Sequence, residues 1–234
     1  MIRNHRLMRF MGVTPKTVVH VGSHHGQDNA QYELLGIGSI YWCEADPVCA
    51  SQIRLRYPKS YVVEGVFWSE ANKSLDFWLM PNRAHNSLFE PKSLAEDTQR
   101  IQVKTTTLDY EFHDFVIRKP TLLVLDVQGA ELKVLQGANK FLSKINFLIC
   151  EITDESTIST FSVTRREIEE LLTPLGFKKS ISRRSHSGEY YDQLFVRLGK
   201  KERLRIWLFD IPYQGVRVLR FLRLKLGKLL KYAQ

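Results

Sequence analysis

The chain is poor in the residues that staple or ligate a fold. It carries three cysteines in 234 residues, Cys43, Cys49 and Cys150. They form neither a CxxC pair nor a Cys/His ligand spacing, which excludes a disulfide framework and suits buried, reduced thiols. Seven histidines are scattered without an HExxH, so no dedicated zinc site is read from the spacing. No apolar run approaches the ~20 residues that cross a bilayer. The opening stretch, MIRNHRLMRFMGVTPK, is too interrupted by charge for a secretory signal. Internal repeats and low-complexity segments are absent as well. A cytoplasmic protein is the expectation.

Acids are also in the minority, 25 against 34 Lys and Arg. The imbalance is local. Residues 200–234 hold ten Lys/Arg against Glu202 and Asp210, a net +8 of the chain's +9, so the rest is nearly neutral. In GVRVLRFLRLKLGKLLKY, residues Val218, Leu219, Leu222, Leu226, Leu229 and Leu230 gather on one helical face with cations across the remainder. Such a tail suits an anionic membrane surface, or docks on its own domain or a second copy as a homodimer contact. A near-neutral body without a nucleic-acid motif argues against nucleic acid as a partner.

What is present is alternation. TVVHV (17–21), SIYWC (39–43), SYVV (60–63), TLLVLD (121–126) and NFLICEI (146–152) read as strands. Between them lie helical patterns over 26–36, from Asp46-Pro47 to Tyr57, and over AELKVLQGANKFL. Asp46 before Pro47 is an N-cap followed by proline at N1. Thr164 with Glu167 makes a capping box for a later helix, and FKKSIS and YYDQLFVRL close the domain as an antiparallel edge pair. Residues 65–119 interrupt the rhythm: SEANKSLDFWLM reads as a hairpin, PNRAHNSLFEP as a loop and IQVKTTTL as an extended piece. Strands alternating with helices imply βαβ units and a parallel sheet, whose ligands sit beyond the C-terminal strand ends where strand order reverses.

The first such strand runs into Gly22-Ser23-His24-His25-Gly26. A turn into a helix start offers free backbone N–H groups to a ligand, although the same glycines also serve a plain connection. Glu44 stands 22 residues beyond Gly22 and can accept from ribose hydroxyls of either NAD or S-adenosylmethionine (SAM). A dinucleotide turn needs a second glycine where His24 stands, so the stretch suits SAM better. Asp126 ends the most apolar strand, Gly129 permits a sharp turn, and Glu131 falls in the first helical turn, where an acid is stabilised by the dipole.

HVGSHHGQ, YWCEADP, TTLD, LLVLDVQGAELKVLQGA, LICEI and YDQLF occur in this order. Together they resemble the FkbM-type family of SAM-dependent methyltransferases over about residues 17–197. The resemblance implies a Rossmann-like methyltransferase fold: a mostly parallel seven-stranded sheet with an antiparallel edge strand, here with a basic C-terminal helical tail. The chain is expected to divide into an N-terminal helical extension (1–16), the methyltransferase domain (17–199, with 65–119 as the substrate region, since loops over a scaffold carry specificity) and the tail (200–234). It also implies O-methylation of a hydroxyl on a saccharide or natural product, with SAM as cofactor. His20 departs from the acid many relatives carry there, and His24 replaces a smaller residue.

The expected cofactor contacts are Gly22, Ser23, His24, Gly26, Gln27, Glu44, Ala45, Gly65, Val66 and Asp126. Asp126 is expected near the transferring methyl, with the general base open among Glu131, His24 and His85; Glu151 and His25 are further candidates. No metal ligands are assigned, although Asp126, Glu131 and Glu151 leave room for a divalent cation. Two other classes remain open: a dinucleotide-dependent oxidoreductase, and a non-catalytic module with the same fold attached to a membrane or partner.

Overall fold

A computed structural model describes residues 14–152, 165–184 and 191–197. Thr164, residues 1–13 and the basic tail lie outside the described residues, and with them the capping box, the N-terminal extension and the amphipathic pattern.

Seven strands form the main sheet: β1 (Thr17–Val21), β2 (Ser39–Glu44), β3 (Tyr61–Glu64), β7 (Thr121–Leu125), β8 (Phe147–Ile152), β9 (Lys178–Arg184) and β10 (Tyr191–Val196). Their order is β3-β2-β1-β7-β8-β10-β9. The first five neighbours pair in parallel, while β10 runs antiparallel to both β8 and β9. β1 and β7 are buried at every residue, because helices cover both faces and the strand needs no polar side. Val19, Val21, Leu123, Leu125 and Leu148 pack on one face of the sheet. Val18, Leu122, Val124 and Ile149 pack on the other. Strand order reverses between β1 and β7, and their C-terminal ends meet where the Asp126 N–H donates to the Val21 carbonyl at 3.0 Å.

The helices are shorter than their sequence patterns. α1 covers only Asn29–Leu34, because Gly26 (φ +67°) and its N–H bond to the Ser23 carbonyl keep the preceding residues in a turn. α2 (Pro47–Arg56) starts as expected, with the Asp46 side chain accepting from Val48 N–H. The single helix expected over 130–142 is two pieces, α4 (Glu131–Gln136) and a 3₁₀ turn (Phe141–Lys144). Gly137 explains the break: a Cβ there would lie 2.1 Å from the Trp68 carbonyl oxygen, so the chain must bend around that close approach. Asp109 then caps the second piece, accepting from the amides of Lys140 and Phe141. α5 (Arg165–Leu172) precedes β9.

Residues 65–119 build a second, three-stranded sheet of order β4-β6-β5, from β4 (Val66–Phe67), β5 (Ser74–Leu79) and β6 (Gln99–Thr106). The local hairpin expected in SEANKSLDFWLM is not there. Asn72 and Lys73 donate to Thr105, and β5 pairs antiparallel with β6 from Ser74↔Lys104 to Leu79↔Gln99. The intervening loop is thereby returned to the main sheet. A short α3 (Leu108–Glu111), capped by Thr107, leads back to β7.

Candidate active site

A cleft of about 570 Å³, open to solvent, lies beyond the C-terminal ends of β1, β2 and β7. Gly22, His24, Glu44, Ala45, Gly65, Val66 and Asp126 line it. Ser23 is 1% exposed and its Oγ donates to the Cys43 carbonyl; Gly26 packs against Tyr57, and Gln27 is exposed outside the lining.

The floor is the crossing of two strand ends. Gly22 has φ +78°, and a Cβ on it would stand 1.8 Å from the Asp126 carbonyl oxygen. Only glycine permits this contact. The turn differs from its sequence reading in one respect. Four of its five amides are engaged: Gly22 and Ser23 N–H donate to the Cys43 carbonyl, His24 N–H to Glu44 Oε2 at 2.6 Å, and Gly26 N–H to Ser23. Recognition therefore falls to the side chains at the cleft wall rather than to an amide cradle.

Glu44 is 7% exposed. Its two oxygens accept from His24 and Asp46 N–H at 2.6 and 2.9 Å, which fixes the carboxylate and leaves one lone pair on each oxygen for a ligand. Burial pushes its pKa up to about 7, against the pull of those amides. Asp126 is partly exposed and its Oδ1 accepts from Gln128 Nε2 at 2.9 Å. Burial, reinforced by Asp192 and Asp28, raises its carboxyl to about 6 against the opposing Gln128 bond.

Glu131 was a candidate base, but it is 2% exposed and turned away from the cleft lining. Its Oε1 accepts from Val127 and Gly129 N–H at 3.0 and 3.3 Å, holding the tight turn that contains Gln128 (φ +52°) and Gly129. Burial raises it to about 7. His85 does not line the cleft either; its Nδ1 lies 3.4 Å from Gln128 Oε1. Glu151 is pushed well up by burial and by Asp126, Glu131 and Asp192. His24 does reach the lining, and burial followed by His25 lowers its pKa. Asp126, Glu131 and Glu151 do not gather as metal ligands among the described residues.

Sequence reading missed the outer rim. Arg83 Nη1 and Asn86 Nδ2 donate to Asp46 Oδ2 at 2.5 and 3.0 Å, pinning the loop after β5 across the mouth. Despite its burial, Asp46 stays below the usual carboxylate range because Arg83, Val48 and Asn86 all favour the ion. Phe77, Ala84, Leu88 and Gln128 also line the cleft. Nothing local in the loop signals a partner 37 residues away.

A family model described as Methyltransferase FkbM domain matches residues 20–179, a span that holds both the glycine turn and the Asp126–Glu131 segment. The chain belongs to the FkbM methyltransferase family. No curated protein matches it. Among solved structures, this methyltransferase is similar to a TehB-like SAM-dependent methyltransferase from Corynebacterium glutamicum (12% identity, 83% of this chain and 87% of that one, TM-score 0.40). It is similar to a SAM-dependent methyltransferase from Aquifex aeolicus (9%, 84% and 90%, TM-score 0.45). A third likeness is to magnesium protoporphyrin IX methyltransferase from Synechocystis PCC 6803 with bound SAM (10%, 83% and 76%, TM-score 0.47). The assignment rests on the family match, with which the sheet order of the methyltransferase agrees.

The cleft fits the cofactor that the family implies. Its wall carries the carboxylates of Glu44 and Asp126, while the one lining Lys or Arg among the described residues, Arg83, is paired with Asp46. A pyrophosphate would meet two acids and a histidine there; a cationic sulfonium with a ribose meets complementary charge and two acceptors. Glu44 would hold the ribose side and Asp126 would face the sulfonium side, with Gly22 permitting close approach.

Proposed function

We propose that the protein is a SAM-dependent O-methyltransferase acting on a hydroxyl of a saccharide or natural product. The observation that carries this reading is Asp126: a partly exposed carboxyl at the switch point, raised to about 6 and steadied by Gln128. A carboxylate of that pKa is ionised at neutral pH and more basic than an ordinary aspartate, as a general base near its operating pH should be. Bound SAM supplies the electrophilic methyl carbon.

The work left to the chain is alignment, exclusion of water and one proton. Glu44 fixes the nucleoside end through acceptors already held by two amides. Asp126 would accept the acceptor hydroxyl's proton as that oxygen takes the methyl group, and pass it to solvent afterwards. Gln128 keeps the other lone pairs of that carboxylate aimed into the cleft. Phe77, Ala84 and Leu88 offer an apolar wall beside the polar Asn86 and Arg83, a mixed surface suited to a ring that carries hydroxyls. Arg83 and Asn86, through Asp46, hold that wall against the base of α2.

The test is mass spectrometry of a cell extract incubated with the protein and methyl-deuterated SAM. Wild type is expected to label a hydroxyl-bearing small molecule or glycan, and Asp126→Asn to lose the label while still binding S-adenosylhomocysteine in calorimetry. Equal labelling by the variant would remove Asp126 as the base. Micromolar binding of NAD with no response to SAM would overturn the reading as a whole.

A further inference from the structure

The histidine pair on the glycine turn has no part in the chemistry above. His24 and His25 sit side by side with ring centroids 3.8 Å apart, and α2 brings Cys49 up to them. One ligand atom from each of the three, two imidazole nitrogens and the thiol sulfur, lies within 4.8 Å of the other two. Two ring nitrogens there, Nε2 of His24 and Nδ1 of His25, are buried with no hydrogen-bond partner. A buried acceptor or donor left unmade is costly, and two of them lie in a histidine pair that clusters with a thiol. Cys49 itself is fully enclosed.

We propose that His24, His25 and Cys49 form a binding site for one zinc-class divalent cation. Two imidazoles and a thiolate select zinc, cobalt or cadmium over the hard cations magnesium and calcium, which want oxygen ligands. With metal–nitrogen bonds of about 2.0–2.1 Å and a metal–sulfur bond of about 2.3 Å, tetrahedral ligand atoms stand roughly 3.3–3.7 Å apart. The three side chains therefore close by up to about 1.5 Å, within reach of small torsional changes. As the sulfur–metal bond forms, the Cys49 proton passes to solvent. The fourth position is left to water or another ligand. His24 also hydrogen-bonds the Gln27 side chain, which orients the ring as outer partners of metal-bound histidines do. A cation there anchors the residue whose main-chain N–H carries Glu44, so it stiffens the wall of the cleft from behind. The site stands on its own geometry whether or not the cleft binds SAM.

Full-length protein, reduced and stripped with a chelator, is titrated with Co²⁺ alone and followed by absorption. One equivalent is expected to bind with a sulfur-to-cobalt charge-transfer band in the near ultraviolet and the visible bands of a tetrahedral site. Zn²⁺ is expected to bleach both, and excess Mg²⁺ to change neither. Cys49→Ala is expected to lose the charge-transfer band; Cys150→Ala, at a thiol outside the cluster, is expected to keep it. His25→Gln, on a partly exposed turn that tolerates the change, is expected to weaken binding by at least about tenfold. A titration without the band, or a band that survives in Cys49→Ala or in His25→Gln at unchanged affinity, overturns the proposal.

Discussion

Replacing Glu131 by glutamine separates a turn-holding acid from a general base. In the folded protein its pKa is raised from 4.5 to about 7, so between those values the native state keeps a proton that the unfolded chain has lost. Stability from this group is therefore present below pH ~4.5 and is lost as pH rises to ~7. At about 1.4 kcal/mol for each pKa unit the full loss is ~3 kcal/mol, of which ~2–3 falls between pH 5 and pH 8. Glutamine keeps an oxygen for the Val127 and Gly129 amides but has no proton to lose. The stability of Glu131→Gln relative to wild type is thus expected to improve by about 2–3 kcal/mol from pH 5 to pH 8, or roughly 5–10 °C in melting temperature for a domain of this size. Thermal unfolding by circular dichroism at the two pH values reads it. Glu131→Ala, stripping both amides of their acceptor, is expected to be about 2–6 kcal/mol less stable than the glutamine variant. Turnover of Glu131→Gln is expected within about tenfold of wild type. A pH-independent difference in melting temperature would refute the burial argument, and a turnover loss of ~10³ at intact stability would restore Glu131 as the base.

Four further outcomes follow from the geometry. With Asp126 titrating near 6, the methylation rate is expected to rise about tenfold per pH unit below 6 and level off above it, with the acid limb absent from the residual activity of Asp126→Asn; a wild-type rate flat down to pH 5 would contradict this. Glu44→Ala is expected to weaken S-adenosylhomocysteine by about 1–3 kcal/mol in calorimetry through lost charged hydrogen bonds, and unchanged affinity would remove it from the site. Gly22→Ala meets the Asp126 carbonyl at 1.8 Å and a left-handed backbone; the forced separation of β1 and β7 is expected to reduce that affinity by more than about tenfold, beyond the ~1–2 kcal/mol of backbone strain in stability. Arg83→Ala, which leaves the fully buried Asp46 carboxylate without its charged partner, is expected to cost about 1–3 kcal/mol in stability. Hydrogen exchange across 81–91 should also quicken, and unchanged exchange would mean that the ion pair does not hold the loop.

The parts of the fold that could be read from the chain are those whose cause is local. β1 and β7 announce themselves because a strand buried on both faces is written as an unbroken apolar run. The start of α2 is legible because Asp46 caps a helix two residues away. Glu44 and Asp126 could be placed at the cleft because strand ends carry their positions with them. Helix lengths were overestimated at 26–36 and 130–142. The apolar period continues there, but the backbone is diverted by Gly26 in one case and by the Trp68 carbonyl against Gly137 in the other. The hairpin failed for a similar reason: β5 has a turn signal in front of it, but its hydrogen-bonding partner lies beyond the loop, in β6.

By itself, then, the sequence determined the alternating architecture, the switch-point turn, its two acids and the family, since composition, period and capping act over a few residues. Tertiary structure decided what those residues face. It turned Glu131 inward onto two amides, spent the turn's N–H groups on Cys43 and Glu44, drew Arg83 and Asn86 onto Asp46, and set Cys49 against His24 and His25. Each of these contacts joins segments that only the closed sheet brings together. The free energy that holds them comes from burial, which no stretch of chain can express until the rest has folded around it.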